Sequence, residues 1–208
     1  GKGAMVVPLL KSSDPRLRQA GLLALTGMFK GSALPGDKVT PEMLELAGRM
    51  LEDPNESWWV ALHAIEAIGR AGPDVIGKHR DRLLQFLDYD CTWLQTAAVC
   101  ALAKISVQPA NVKTVLPVIL KKSADFRVDS ASSRSATAIA DALKSASPEV
   151  KAFATPLLKN TYAALPGELR EPNTAALMNS GAKTVRSRIG SILQGVPGGE
   201  DFVRRLPR

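Results

Sequence analysis

Three ten-residue segments of this chain align without a gap, and that repetition constrains the fold more than any other feature. They are Arg16 to Leu25 (RLRQAGLLAL), Trp59 to Ile68 (WVALHAIEAI) and Trp93 to Leu102 (WLQTAAVCAL). Each has an apolar residue at the second place, a small one at the sixth, and Ala followed by Leu or Ile at the end. The offsets are 43 and 34 residues, close to the periods of repeats made of paired helices. Apolar residues recur every three or four positions, and no stretch alternates as a half-buried strand does, so every periodic element is predicted to be helical.

A shorter amphipathic stretch and a turn precede each segment. Met5 to Leu10 leads into Ser13-Asp14-Pro15, where Asp can cap a helix and Pro can take its first position. Thr40-Pro41-Glu42 repeats that start signal before Met43 to Leu51 and the turn Asp53-Pro54-Asn55. The third pair runs from Pro73 through Leu83 and Leu87 to the turn Asp88-Tyr89-Asp90. A looser fourth pair joins Val112 to Leu120 with Ala136 to Leu143, through a turn near Asp125.

The turn Asp14-Pro15, followed by Leu17-Arg18, Ala20-Gly21 and Ala24-Leu25 with the counterparts above, resembles the HEAT-repeat (armadillo-like) family. The resemblance covers residues 4–145 and is clearest in the first three hairpins. It implies an all-α, right-handed solenoid of about five helical hairpins, the last one irregular. Residues 1–145 would form four hairpins, and 146–208 an irregular closing hairpin and tail. The place of Arg18 is taken by Ala61 and Gln95 in the other segments, so an Arg–Asp ladder of the kind this family can form would be broken.

Beyond Leu143 the pattern loosens. Pro148 opens a helix carrying Val150, Phe153, Leu157 and Leu158, and Leu165-Pro166-Gly167 breaks it. Met178, Ala182, Val185, Ile189 and Ile192 then fall on one helix face, with Lys183, Arg186 and Arg188 mostly off it. Val196-Pro197-Gly198-Gly199 reads as a break, with the last nine residues loose or packed against a neighbouring domain.

Composition bounds the function. Apolar residues make up 45% and aromatic residues only 5%, a balance that suits close helix packing through Ala and Leu. No apolar run approaches the roughly 18 residues that cross a bilayer. The net charge is +7 and uneven: residues 144–208 hold 10 Lys and Arg against 5 Asp and Glu, and residues 1–143 hold 17 against 15. A basic end can attract nucleic acid or an anionic surface, and it can equally serve solubility alone. Cys91 and Cys100 on one helix would sit about 13 Å apart, too far for a disulfide. Unpaired thiols favour a reducing, cytoplasmic compartment. The opening Gly1-Lys2-Gly3, without Met, suggests a piece of a longer polypeptide.

No residue set has the spacing of a catalytic, cofactor or metal motif. His63 and His79 each lack a second ligand at suitable spacing. His63 reads as a packing residue and His79, before Arg80-Asp81-Arg82, as a solvated helix face. Asp88 and Asp90 read as turn residues making backbone bonds. Trp58, Trp59 and Trp93 are more informative. Exposed, they would serve as partner anchors or base-stacking platforms, whereas Trp59 and Trp93, at equivalent places, could instead pack hairpin on hairpin. HEAT-like folds include DNA glycosylases with a basic, Trp-bearing concave face and a catalytic Asp, and no such constellation stands out here. The expected function is therefore a non-catalytic protein-binding scaffold or accessory segment. A nucleic-acid module using a basic concave face is the alternative, and a glycosylase-like enzyme a distant third. The candidate binding residues are Trp59, Trp93, Arg16, Arg18, Lys104, Arg134, Lys183 and Arg186.

Overall fold

The computed structural model describes residues 3–30, 38–125, 129–164, 186–187, 189–196 and 198–205. Among these the architecture is all-helical, and none lies in a strand. The chain divides into two compact units, residues 1–101 and 102–208. The division falls inside a helix rather than at the 145/146 boundary that the repeat pattern suggests. The fourth hairpin groups with the C-terminal elements because the helix that follows it packs back onto it.

Unit 1 begins with α1 (Gly3–Leu10) and α2 (Pro15–Phe29), then α3 (Pro41–Glu52) and α4 (Trp58–Ile68). The start signals act as read. The Asp14 carboxylate accepts from the Arg16 amide at 2.8 Å, Thr40 Oγ1 accepts from the Met43 amide at 3.3 Å, and Pro15 and Pro41 open their helices. Proline costs nothing there, since the first-turn amides have no partner inside the helix. The third pair departs from expectation. Instead of one helix from Pro73, the chain forms α5 (Pro73–Lys78) and α6 (Arg80–Phe86), broken at His79 (φ −109°, ψ 12°). That break lets His79 turn Nδ1 to Glu52 Oε1 at 2.7 Å and lay its ring against Gly48. His79 is thus a half-buried joint between neighbouring first helices, with 16% of its side chain exposed, and not a solvated face.

The hairpins of unit 1 lie side by side. α1 packs on α3 and α2 on α4, and α3 meets α6 where Arg82 Nε donates to the Leu51 carbonyl at 3.1 Å. Helix α7 (Thr92–Ser106) approaches α4 closely: a Cβ added at Gly69 would lie 3.2 Å from the Ala101 methyl. The sixth and tenth places of the aligned segments are buried in every copy: Gly21, Ala64 and Ala98, then Leu25, Ile68 and Leu102. A Cβ at Gly21 would press on Leu9 and Leu10 of α1 at 3.0 Å, so the sixth place faces the first helix of its own hairpin. Full burial of each Leu or Ile contributes about 1.5–3 kcal/mol.

Unit 2 holds α8 (Leu116–Asp125), α9 (Asp129–Lys144), α10 (Pro148–Ala164) and α11 (Gly199–Arg205). Helix α8 starts later than the periodicity from Val112 suggests, because Pro117 lacks the N–H a helix interior needs and sits in the first turn. Val112 and Val115 are nevertheless buried, in the turns before it. α8 packs against α9 and α10, with the Ser123 and Ser135 hydroxyls 2.9 Å apart in the buried seam. Of the expected tail, residues 200–205 lie in α11, which docks on α10 with its Phe202 ring edge-on to Tyr162 at 6.3 Å. The expected break before it is real, since Gly198 takes φ +69°, a conformation that costs glycine nothing.

Candidate functional site

The sequence places a turn before each aligned segment, and packing brings these turns to one edge of unit 1. Arg18 joins the first to the second. Its Nε and Nη2 donate to the two Glu56 carboxylate oxygens at 2.9 and 2.8 Å, while Nη1 donates to the carbonyls of Ser12 and Ser13 at 3.0 and 2.9 Å. The hydrogen bonds to Glu56 raise the Arg18 pKa further, against the opposing effect of burial. Arg82 joins the second turn to the third. Besides its bond to the Leu51 carbonyl, its guanidinium lies 4.5 Å from the Phe86 ring centre and 5.6 Å from that of Tyr89. Gln95 then repeats the local part of the Arg18 arrangement, donating to the Tyr89 carbonyl.

Arg18 and Arg82 are therefore occupied internally, while Lys11 and Arg16 stand exposed beside the first turn. Around the second and third turns the edge presents aromatic and acidic groups outward. Trp93 is 64% exposed, Trp58 54% and Tyr89 37%. Asp53, Asp88 and Asp90 are exposed beside them. An open recess of about 410 Å³ lies next to the Arg18–Glu56 pair, bounded by Leu10, Lys11, Leu46, Met50 and Asp53. Large exposed aromatics among carboxylates can bury apolar area against a partner while attracting its cations, including through cation–π contacts.

Comparison with known proteins informs the fold and leaves the site open. No protein-family model matches the chain, and no curated protein matches it. Among solved structures it is similar to the crystal structure of an engineered protein, a Northeast Structural Genomics Consortium target, at 16% identity and a TM-score of 0.64. The match covers 99% of this chain and 89% of that one. The likeness is one of fold.

The candidate residues sort unevenly. Arg16, Arg18, Trp59 and Trp93 belong to unit 1; Lys104, Arg134 and Arg186 belong to unit 2; Lys183 lies outside the described residues. Arg16 is exposed at the start of α2, and Arg18 is held in the turn-to-turn ion pair. Trp93 is open to solvent, which corrects the packing alternative for that residue. Trp59 is half-buried, and its neighbour Trp58 is the exposed member of the pair. Within unit 2, Lys104 and Arg134 are exposed and partnered, and the Arg186 guanidinium stacks 5.1 Å over the Tyr162 ring. Sequence reasoning named Trp58 among the informative tryptophans but left it out of the candidate set, and it missed Tyr89. Ser57 holds the N-cap position of α4 without a side-chain cap bond, so Trp58 is the first residue of the helix.

No helix among the described residues is long and apolar enough to cross a membrane. Neither Cys91 nor Cys100 is in a disulfide, and both are half-buried. His63 is half-buried, with Nδ1 3.2 Å from Glu66 Oε2 one turn away, in keeping with a hydrogen-bonded packing residue.

Proposed function

We propose that this chain is a non-catalytic protein-binding scaffold of HEAT-like solenoid type, which takes its partner on the turn edge of unit 1. The observation that carries the reading is the company Trp58 and Trp93 keep. They are exposed beside Asp53, Asp88 and Asp90, while Arg18 and Arg82 are spent inside the protein. Like-charge repulsion disfavours a phosphate backbone at such an edge. A protein segment offering apolar or aromatic side chains flanked by Lys or Arg fits it.

A nucleic-acid role remains the second reading, favoured by the excess of 10 basic over 5 acidic residues in 144–208. Titration of the full chain with Lys-flanked and Glu-flanked aromatic peptides, and with duplex DNA, separates the two. The scaffold reading expects the Lys-flanked peptide to bind best, and Trp58→Ala and Trp93→Ala each to weaken it by about 1–2 kcal/mol. Both side chains are mostly in solvent, so the same variants should shift stability by less than about 0.5 kcal/mol. DNA should bind only in the non-specific range of about 10⁻⁴ to 10⁻⁶ M and fall steeply with salt. Submicromolar DNA binding at physiological salt, with indifference to the peptides, would overturn the scaffold.

A further inference from the structure

Within unit 2, the second half of α9, the first part of α10 and residues 189–196 enclose a cavity of about 330 Å³. Small residues on each wall leave the space: Ala140 on α9, Ala154 on α10, and Ser191 and Gly195 on the third. Leu143, Leu158 and Val196 are buried around them and make the interior apolar. The neighbouring seam of α8 and α9 is closed by comparison, the Ser123 and Ser135 hydroxyls meeting at 2.9 Å. Folded proteins leave few voids larger than a water molecule. Small-molecule sites are apolar clefts of about 300–1,000 Å³ with a few placed polar groups, and this cavity has that size and that make-up.

Its charged groups stand at one end. Asp141 and Lys144 in the last turn of α9 and Lys151 in the first turns of α10 flank the connection at residues 145–147. Asp141 and Lys144 hold each other at 3.0 Å. Glu149, the other charged residue beside that connection, is hydrogen-bonded to Ser147 and does not line the cavity. Lys151 is half-buried and makes no ion pair among the described residues. A partly desolvated ammonium gains from an anionic acceptor, because burial of an unpaired charge is costly. At the other end the wall is Leu158, seven residues and about 10 Å along α10 from Lys151. Only the neutral hydroxyls of Thr137 and Ser191 add polarity elsewhere.

Shape and polarity together select the occupant. The rim residues Asp141, Lys144, Ser191 and Gly195 are exposed and the apolar groups lie inside. A macromolecular partner or a second copy needs a contiguous apolar patch at the surface, whereas a small molecule reaches an enclosed one. We infer that this cavity binds a small amphipathic carboxylate, with its head at Lys151 and its apolar body lying along α10 toward Leu158. One unpaired ammonium matches one negative charge, and the apolar length beyond it suits a short aliphatic chain. The site lies wholly within unit 2 and is independent of the turn edge of unit 1.

The test titrates the full chain, followed by calorimetry, with octanoate, octanol and octyltrimethylammonium, each kept below the concentration at which it aggregates. Octanoate should saturate a single site and bind roughly tenfold more tightly than octanol, with the ammonium weakest. Lys151→Met keeps the aliphatic stem and removes the charge. It should weaken octanoate roughly tenfold and leave octanol unchanged, a split that a merely structural lysine would not produce. Lys144→Met should weaken octanoate by less than about threefold, since Asp141 already holds that amine. Ala140→Leu fills the cavity and should abolish binding of octanoate and octanol alike, with the thermal melt unchanged or raised. Should that variant melt early, Ser191→Leu, at an exposed place on the opposite wall, fills the space instead. Equal affinity for the three amphiphiles, no saturable binding, octanoate binding that survives Lys151→Met unaltered, or binding that persists in a folded filled variant would each overturn the inference.

Discussion

Arg18 and Glu56, 38 residues apart in sequence, meet through two parallel hydrogen bonds that fasten the turn of the first hairpin to the turn of the second. Their side chains are only 19% and 5% exposed. In the other two aligned segments the place of Arg18 is taken by Ala61 and Gln95. Gln95 keeps the local half of the interaction, the bond to its own preceding turn, and loses the reach to the next hairpin.

Removing one partner of this pair leaves the other buried and unpaired. Arg18→Ala should destabilise the protein by about 2–3 kcal/mol, below the cost for a fully buried pair because the site is partly wet. Arg18→Lys should recover less than half, since a single ammonium cannot bond both carboxylate oxygens and two carbonyls in one plane. The Arg18 pKa is raised in the folded protein, so its contribution is present below the guanidinium's ordinary range and is lost only at pH above it. Denaturant melts should therefore show no Arg18-dependent loss on mild alkalinisation. A Lys variant as stable as the wild type would show that the two-pronged geometry is unimportant.

Gly48 and His79 make a second joint with a testable sign. A methyl at Gly48 would sit 2.7 Å from His79 Nε2, so Gly48→Ala must push the ring off its bond to Glu52. The exchange should also gain about 0.5–1 kcal/mol, because alanine favours a helix interior over glycine. We expect a net loss of about 1 kcal/mol for Gly48→Ala in the wild type. In a His79→Ala background the same exchange should become neutral or stabilising. A double-mutant cycle by thermal melts reads the difference, and additive effects would mean that the ring yields freely.

Leu25, Ile68 and Leu102 close the three aligned segments at 0% exposure. Truncating each to Ala removes several buried carbon atoms and leaves a cavity, at a cost of about 2–5 kcal/mol. Leu17→Ala, at the exposed second place, should cost less than about 0.5 kcal/mol, whereas Leu94→Ala at the equivalent buried place should behave like the core set. Chemical denaturation of the five variants checks the register. A Leu17 loss as large as that of Leu94 would mean that Leu17 is already covered in solution.

The sequence alone determined which segments are helical, where α2 and α3 begin, and which places of the repeat enter the core. Those features depend on local chemistry: a side-chain cap, a proline without its donor, and a period near 3.6 residues. The start of α8 at Leu116 and the break at His79 lay beyond that reading. The first depends on how far a proline delays a helix, and the second on a contact with Glu52 and Gly48, which are distant in sequence. The tertiary structure also decided that Arg18 is structural, that Trp58 rather than Trp59 faces solvent, and that the second place of the repeat is buried in α4 and α7 but open in α2. A repeat gives every copy nearly the same local pattern, so only the neighbours each copy meets can make equivalent residues core in one place and surface in another.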